Sequence, residues 1–258
     1  MNEIALKVLA PAMAARLREL TPARVGLGRT GVSQPTRDQL AFQRSLAQAR
    51  DAVNARMQPA ALAAAIRSIT GGEVLRAHSA AADRVTYLQR PDLGRMLDVT
   101  SRATLERTRG GPYDLALIVA DGLSALAVER HAVPLIAALL PLLAGWRLAP
   151  VCIVEQGRVA IADQIGHALG AEIAVSLIGE RPGLSSPDSL GAYITWQPRP
   201  GRTDAERNCI SNIRTEGLGC EVAAARLASY LAEARRRRLT GVALRIESTV
   251  SGERLNLA

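Results

Sequence analysis

The sequence feature that most constrains the fold is an alternation of short apolar runs with helical patterns in the second half of the chain. Continuous apolar runs at residues 115–120, 150–154 and 173–178 have the length and composition of strands buried on both faces. Helical patterns at residues 124–144 and 159–169 separate them. Strands that alternate with helices at this spacing predict an α/β fold with a mostly parallel, doubly wound, Rossmann-like sheet.

The first part of the chain is predicted to be mainly helical. Residues 3–20 and 36–57 show helical periodicity, and a further helix is expected over residues 92–108, after a proline. The Gly- and Pro-rich residues 21–35 are expected to lack regular structure. The predicted organisation is a smaller helical N-terminal region, a Rossmann-like domain and a disordered tail, over residues 1–111, 112–246 and 247–258.

The charge of the chain comes almost entirely from arginine. The net charge is +8, and Lys7 is the single lysine. Arginine binds phosphate and carboxylate groups in a bidentate manner, so a phosphate-bearing cofactor and an acidic protein partner fit equally well. Aromatic residues make up 3% of the chain, and no helix-turn-helix or zinc-finger spacing is present. A nucleic-acid partner is therefore not expected.

The cysteines and apolar segments bear on localisation. The three cysteines show no Cys-x-x-Cys spacing, which favours a reducing cytoplasm over a disulfide framework or a zinc site. The longest apolar run, residues 132–146, contains two prolines and is shorter than the ~18–20 residues that cross a bilayer, so a core helix is expected there. Glu3, Pro11 and Arg16 interrupt the apolar N-terminus and argue against an export signal.

Several catalytic and nucleotide-binding motifs are missing from the sequence. It contains no Gly-x-Gly-x-x-Gly after a strand, no Walker loop and no Gly-x-Ser-x-Gly. The histidines, His78, His131 and His167, are dispersed and have no carboxylate at metal-ligand spacing. No catalytic residue is therefore predicted in this chain.

Polar residues after the predicted strands are the candidate site residues. Ligands of α/β proteins bind at the carboxyl ends of strands, where Glu180, Arg181, Asp121 and a predicted turn at residues 209–212 occur. A structural interpretation is also open, since such residues often form turns and caps. Cys209 on this interpretation is a small buried apolar residue.

Four short motifs in register carry a family resemblance. The segments Gly157-Arg-Val, Asp163-Gln-Ile-Gly, Gly179-Glu-Arg-Pro-Gly-Leu and Cys209-Ile-Ser-Asn-Ile resemble the small (light) subunit of ethanolamine ammonia-lyase. The segment Tyr87-Leu-Gln-Arg-Pro-Asp-Leu-Gly-Arg also resembles that family, and the similarity extends over about residues 24–231.

The resemblance implies an adenosylcobalamin-dependent lyase that converts ethanolamine to acetaldehyde and ammonia by a radical mechanism. It implies a hetero-oligomer in which a large barrel subunit binds ethanolamine and contacts the N-terminal region of this chain. It further implies cobalamin contacts from Val159, Glu180 and Cys209. His167-Ala-Leu-Gly170 matches only part of the Asp-x-His-x-x-Gly motif of other cobalamin proteins, because Asp163 lies four residues before the histidine rather than two, so the cofactor is expected to keep its own lower base.

The expected location is the cytoplasm, either free or inside a bacterial microcompartment. An alternative prediction is a self-contained α/β enzyme or nucleotide-cofactor-binding protein that uses Asp121, Glu180 and Cys209 in one pocket. The alternative differs from the lyase because its site would be closed by this chain alone.

Overall fold

The computed structural model describes residues 11–246 except Pro22 and Thr30, and the predicted tail lies outside the described residues. The helices are α1 (Pro11–Leu20), α2 (Thr36–Asn54), α3 (Pro59–Thr70), α4 (Arg84–Gln89), α5 (Val99–Arg107), α6 (Ala125–Leu139), α7 (Ile161–Leu169) and α8 (Cys220–Arg237). The strands are β1 (Val74–His78), β2 (Tyr113–Ala120), β3 (Val151–Glu155), β4 (Ala171–Gly179), β5 (Leu190–Trp196) and β6 (Arg207–Ile213).

The six strands form one mixed sheet in the order β1-β3-β2-β4-β5-β6. The four strands from β1 to β4 are mutually parallel, whereas β5 and β6 pair in antiparallel fashion. The prediction of an α/β fold is confirmed, but a doubly wound, Rossmann-like parallel sheet is not. A parallel crossover usually requires a helix, and the connection between β4 and β5 contains none. The strand β5 therefore runs antiparallel to β4, and the sheet is mixed.

The region before residue 112 is not only helical. The strand β1 lies in it and pairs along its length with β3, so the boundary predicted near residue 112 passes through a continuous sheet. The helix predicted over residues 92–108 is interrupted. A 3-10 turn at Leu93–Arg95 precedes α5, which begins after Asp98, whose carboxylate accepts a 2.6 Å hydrogen bond from Ser101 N.

Helices cover both faces of the sheet. On one face, buried side chains from α3, α6 and α8 pack against the strands, and on the other face α5 and α7 do so. The helical stretch Ala125–Leu143 is apolar and long enough to cross a membrane. In this fold its buried residues, including Val128, Leu135 and Ile136, pack in the core beneath the sheet, as predicted for a core helix.

Two glycines bring the ends of β2 and β4 together. Leu123 N donates to Gly179 O at 2.9 Å, and a Cβ at Gly179 would lie 2.1 Å from Ser124 O. Gly122 has a φ of +58°, and its Cβ would lie 2.2 Å from Gly179 O. The backbone approach at this edge is therefore possible only without side chains, and it forms the base of the candidate site.

Candidate functional site

An open cleft of about 370 Å³ lies at the carboxyl ends of β2, β3 and β4. Its lining includes Val159 and Glu180. Val159 lies in the connection between β3 and α7, whereas Glu180 directly follows β4. Two of the three cobalamin contacts implied by the family resemblance, Val159 and Glu180, thus line one cleft, although they belong to different segments of the chain.

Donors from two other segments fix the carboxylate of Glu180. Ser189 Oγ donates to Glu180 Oε2 at 2.5 Å, and Asn212 N donates to the same oxygen at 3.2 Å. Ser211 Oγ donates to Oε1 at 2.7 Å. A carboxylate offers about four acceptor positions, so one remains for a ligand. Ser211 belongs to the segment 209–212 that was singled out from the sequence, whereas Ser189 was not identified, because only the pairing of β4, β5 and β6 places it here.

Space for this carboxylate depends on Gly191. A Cβ at Gly191 would lie 2.9 Å from Glu180 Oε1. Gly191 pairs with Ile178 in the β4–β5 ladder, so the missing side chain opens room directly beside the end of β4. A glycine in a strand interior is consistent with this close approach.

Cys209 lies in β6 rather than in the predicted turn. It pairs with Tyr193 of β5, and Tyr193 lines the cleft. Cys209 is exposed, so the interpretation of a small buried residue was wrong. The hydrogen-bonding ladder of β5 and β6 explains the error, because an antiparallel edge strand can present one face to solvent.

Asp121 is buried, with a relative exposure of 5%, and does not lie open in the cleft as predicted. Its Oδ1 accepts a hydrogen bond from Gly157 N at 3.1 Å, and its Oδ2 lies 3.7 Å from Arg84 Nη1. Burial raises the pKa of Asp121, while the hydrogen bonds from the Gln156 and Gly157 backbone and the charge of Arg84 oppose that shift. Asp121 therefore supports the segment leading to Val159.

Tyr87 is a further residue of this site that pattern analysis did not single out. It is fully buried, and its hydroxyl donates to Gly157 O at 3.2 Å. Burial raises the pKa of Tyr87, so the phenol is a neutral donor at physiological pH. The only signal for Tyr87 in the sequence was its position in the segment Tyr87-Leu-Gln-Arg-Pro-Asp-Leu-Gly-Arg, which carries part of the family resemblance.

The cleft is lined by charged groups of both signs. Arg158 and Arg181 also line it, so guanidinium donors accompany the Glu180 acceptor. None of the three histidines lines it. Across the described part of the chain, no group of three His, Cys, Asp or Glu residues could hold a metal ion. Asp121 is engaged by Gly157 and Arg84, and neither Asp121 nor Cys209 lines this cleft beside Glu180.

The structure is therefore that of an α/β protein with an open, polar-lined cleft at the carboxyl ends of its parallel strands. Residues 11–245 match the family model of the ethanolamine ammonia-lyase light chain (EutC). The chain therefore belongs to the ethanolamine ammonia-lyase light-chain family, and the resemblance identified in the sequence is confirmed.

Curated relatives agree with this family. A protein of Pseudomonas aeruginosa is 59% identical over 239 residues, covering 91% of this chain and 87% of the relative. A protein of Ralstonia nicotianae is 58% identical over 234 residues, covering 89% and 86%. A protein of Azotobacter vinelandii is 58% identical over 241 residues, covering 92% and 89%. Each is named ethanolamine ammonia-lyase small subunit.

Proposed function

We propose that this chain is the small subunit of an adenosylcobalamin-dependent ethanolamine ammonia-lyase and forms one wall of its cobalamin site. A large barrel subunit forms the opposite wall and binds ethanolamine, which the assembled enzyme converts to acetaldehyde and ammonia. The observation that carries this proposal is the meeting of Val159 and Glu180 in one open cleft. The cytoplasm, with or without enclosure in a microcompartment, is the proposed location.

The donor and acceptor groups of the cleft fit a corrin ligand. A corrin carries neutral carboxamide side chains, which both donate and accept hydrogen bonds. Glu180 keeps one acceptor position beside its three protein donors. Arg158 Nε is buried without a hydrogen-bond partner within the described residues, so it is a donor adjacent to the same cleft. The residues present therefore match the chemistry of this group.

The residues of this chain act by binding and orientation. Glu180 would accept a hydrogen bond from a carboxamide or hydroxyl of the cofactor, and its serine partners hold it in place for that contact. Val159 and the backbone at Cys209 would also contact the corrin. The cleft wall excludes water from one side. When bound, adenosylcobalamin supplies the radical chemistry, and the protein supplies orientation and a shielded site.

The N-terminal helical region is the proposed contact with the large subunit, and hence the basis of a hetero-oligomer. The side chains of Leu20, Leu40 and Leu46 in α1 and α2 are 76%, 63% and 48% exposed. Such a group of apolar residues is typical of a surface that another protein covers. The isolated chain is consequently expected to be poorly soluble.

The test is a titration of corrin absorption with this chain alone, with its large subunit, and with ethanolamine added to the pair. We expect tight retention of adenosylcobalamin by the pair only, and formation of acetaldehyde on addition of ethanolamine. A pair that binds no corrin would contradict the proposal.

The variant Glu180→Gln tests the named site in the same titration. It keeps the size of the side chain but removes the charge that three donors stabilise, so we expect weaker binding of adenosylcobalamin by about 10-fold, equivalent to ~1.4 kcal/mol. The matched control is Glu172→Gln, an exposed glutamate in β4. Equal affinity of the two variants would remove Glu180 from the proposed site.

A further inference from the structure

The segment that carries Val159 is held in place by Asp121, Tyr87 and Gly94. None of these three residues is adjacent in sequence to a predicted cofactor contact. Gly157 N donates to Asp121, and Gly157 O accepts from the hydroxyl of Tyr87. Arg158 N donates to Gly94 O at 2.7 Å. The peptide groups that join residues 156–157 and 157–158 are therefore fixed from outside their own segment.

The ring of Tyr87 adds side-chain contacts to this arrangement. The guanidinium carbon of Arg158 lies 4.2 Å from the ring centroid, and that of Arg84 lies 4.7 Å from it. Arg158 Nη2 also donates to Tyr87 O at 3.1 Å. Guanidinium groups at these distances are attracted to an aromatic face, and burial strengthens the attraction. Tyr87 therefore contacts Arg158 through its ring and its backbone carbonyl, and Gly157 through its hydroxyl.

Gly94 shows how closely these groups pack. A Cβ at Gly94 would lie 2.8 Å from Arg158 Cγ and 3.1 Å from the Tyr87 ring. The stem of Arg158 is consequently confined between the turn at Leu93–Arg95 and the tyrosine. Movement of Arg158 would move Val159, the next residue, which lines the cleft.

We propose that Tyr87 is a positioning residue that sets the Val159 wall of the cofactor cleft through its contacts with Gly157 and Arg158. This inference rests on the proposed function, because it assigns Tyr87 a role in corrin binding. It goes further in making α4, a helix distant in sequence from the cleft loops, a determinant of cofactor affinity.

The experiment uses the complex of this chain with its large subunit and hydroxocobalamin as the probe, titrated by absorption. Tyr87→Leu removes both ring and hydroxyl, and Tyr87→Phe keeps the ring. Tyr230→Leu, in α8 on the opposite side of the sheet, is the control for loss of a partly buried tyrosine. Hydrogen exchange at residues 156–160 is measured without corrin.

We expect Tyr87→Leu to weaken hydroxocobalamin binding by about 10-fold, the size typical of losing a residue that orients a ligand-binding group. Exchange at residues 156–160 should rise in this variant, and the KM for adenosylcobalamin should rise while kcat at saturating cofactor is retained. Tyr87→Phe should recover most of the affinity, and Tyr230→Leu should leave both affinity and local exchange unchanged.

The outcomes separate this inference from the proposed function. Normal corrin binding by the unmodified complex, with unchanged affinity in Tyr87→Leu, overturns the positioning role alone. No corrin binding by the unmodified complex overturns the proposed function and the positioning role with it. If Tyr87→Leu does not fold, Gly94→Ala is used to displace Arg158 from the Tyr87 ring instead. Unchanged affinity for hydroxocobalamin in that variant overturns the positioning role of the contact between Tyr87 and Arg158.

Discussion

Replacement of Asp188 by asparagine is expected to destabilise the protein strongly. The Asp188 side chain is 7% exposed, and its Oδ1 lies 3.1 Å from Nε of the equally buried Arg214. Its Oδ2 lies 2.9 Å from Arg130 Nη1 and 3.4 Å from His131 Nε2. Asparagine removes the charge and leaves Arg214 without its buried counterion.

The expected loss in the free energy of unfolding is about 3 kcal/mol, at the lower end of the range for a broken buried ion pair. The lower end applies because Arg214 Nη2 still reaches the exposed Glu216 at 2.8 Å. For a chain of this size the loss corresponds to a decrease of roughly 6–12 °C in Tm. Since Asp188 precedes Ser189, the same change should loosen the hydroxyl that orients Glu180.

The destabilisation should depend on pH. Burial acts to raise the pKa of Asp188, but the hydrogen bond from Arg130 and the charge of Arg214 outweigh it and hold the pKa below its usual value. A carboxylate with a lowered folded-state pKa contributes stability above the unfolded pKa of about 3.9 and loses it as pH falls through the folded pKa. The difference between wild type and variant should therefore be full at pH 7 and shrink below about pH 4.

The assay is thermal unfolding of the purified protein at pH 7 and at pH 3.5. The control is Asp92→Asn, whose carboxylate pairs with Arg90 at 2.7 Å but with both side chains more than half exposed. Such an exposed pair is expected to contribute little to stability, because water screens its charges. Equal losses of Tm in the two variants, or a loss in Asp188→Asn that does not change with pH, would refute the reasoning.

Three further substitutions test the packing around the cleft. Gly179→Ala, which would place a Cβ 2.1 Å from Ser124 O, is expected to prevent accumulation of folded protein, as measured by soluble yield. Ser124→Ala removes the N-cap that accepts from Ala127 N and should cost about 1 kcal/mol in urea unfolding; no change would contradict the cap. Asp163→Asn breaks the buried pair with Arg207 and should lower Tm more than Asp92→Asn does.

The sequence by itself determined the central part of the fold. The apolar runs that predict β2, β3 and β4 occur close to their observed bounds, because a strand buried on both faces requires a continuous apolar segment. The N-cap of α6 at Ser124 follows the general preference for serine at that position, which depends on local chemistry alone. Short motifs were sufficient for the family, since four of them in fixed order are far more specific than any single pattern.

Only the tertiary structure decided the sheet edges and the environment of the polar groups. The pairing of β1 with β3 and the reversed direction of β5 depend on contacts between distant segments, to which local periodicity is insensitive. Asp163 in α7 is buried against Arg207, which lies 44 residues away in the chain. The donors around Glu180 come from β6 and from the residue directly before β5. Burial and hydrogen bonding of a charged group depend on what the fold brings to it, and its own neighbours in sequence do not specify that.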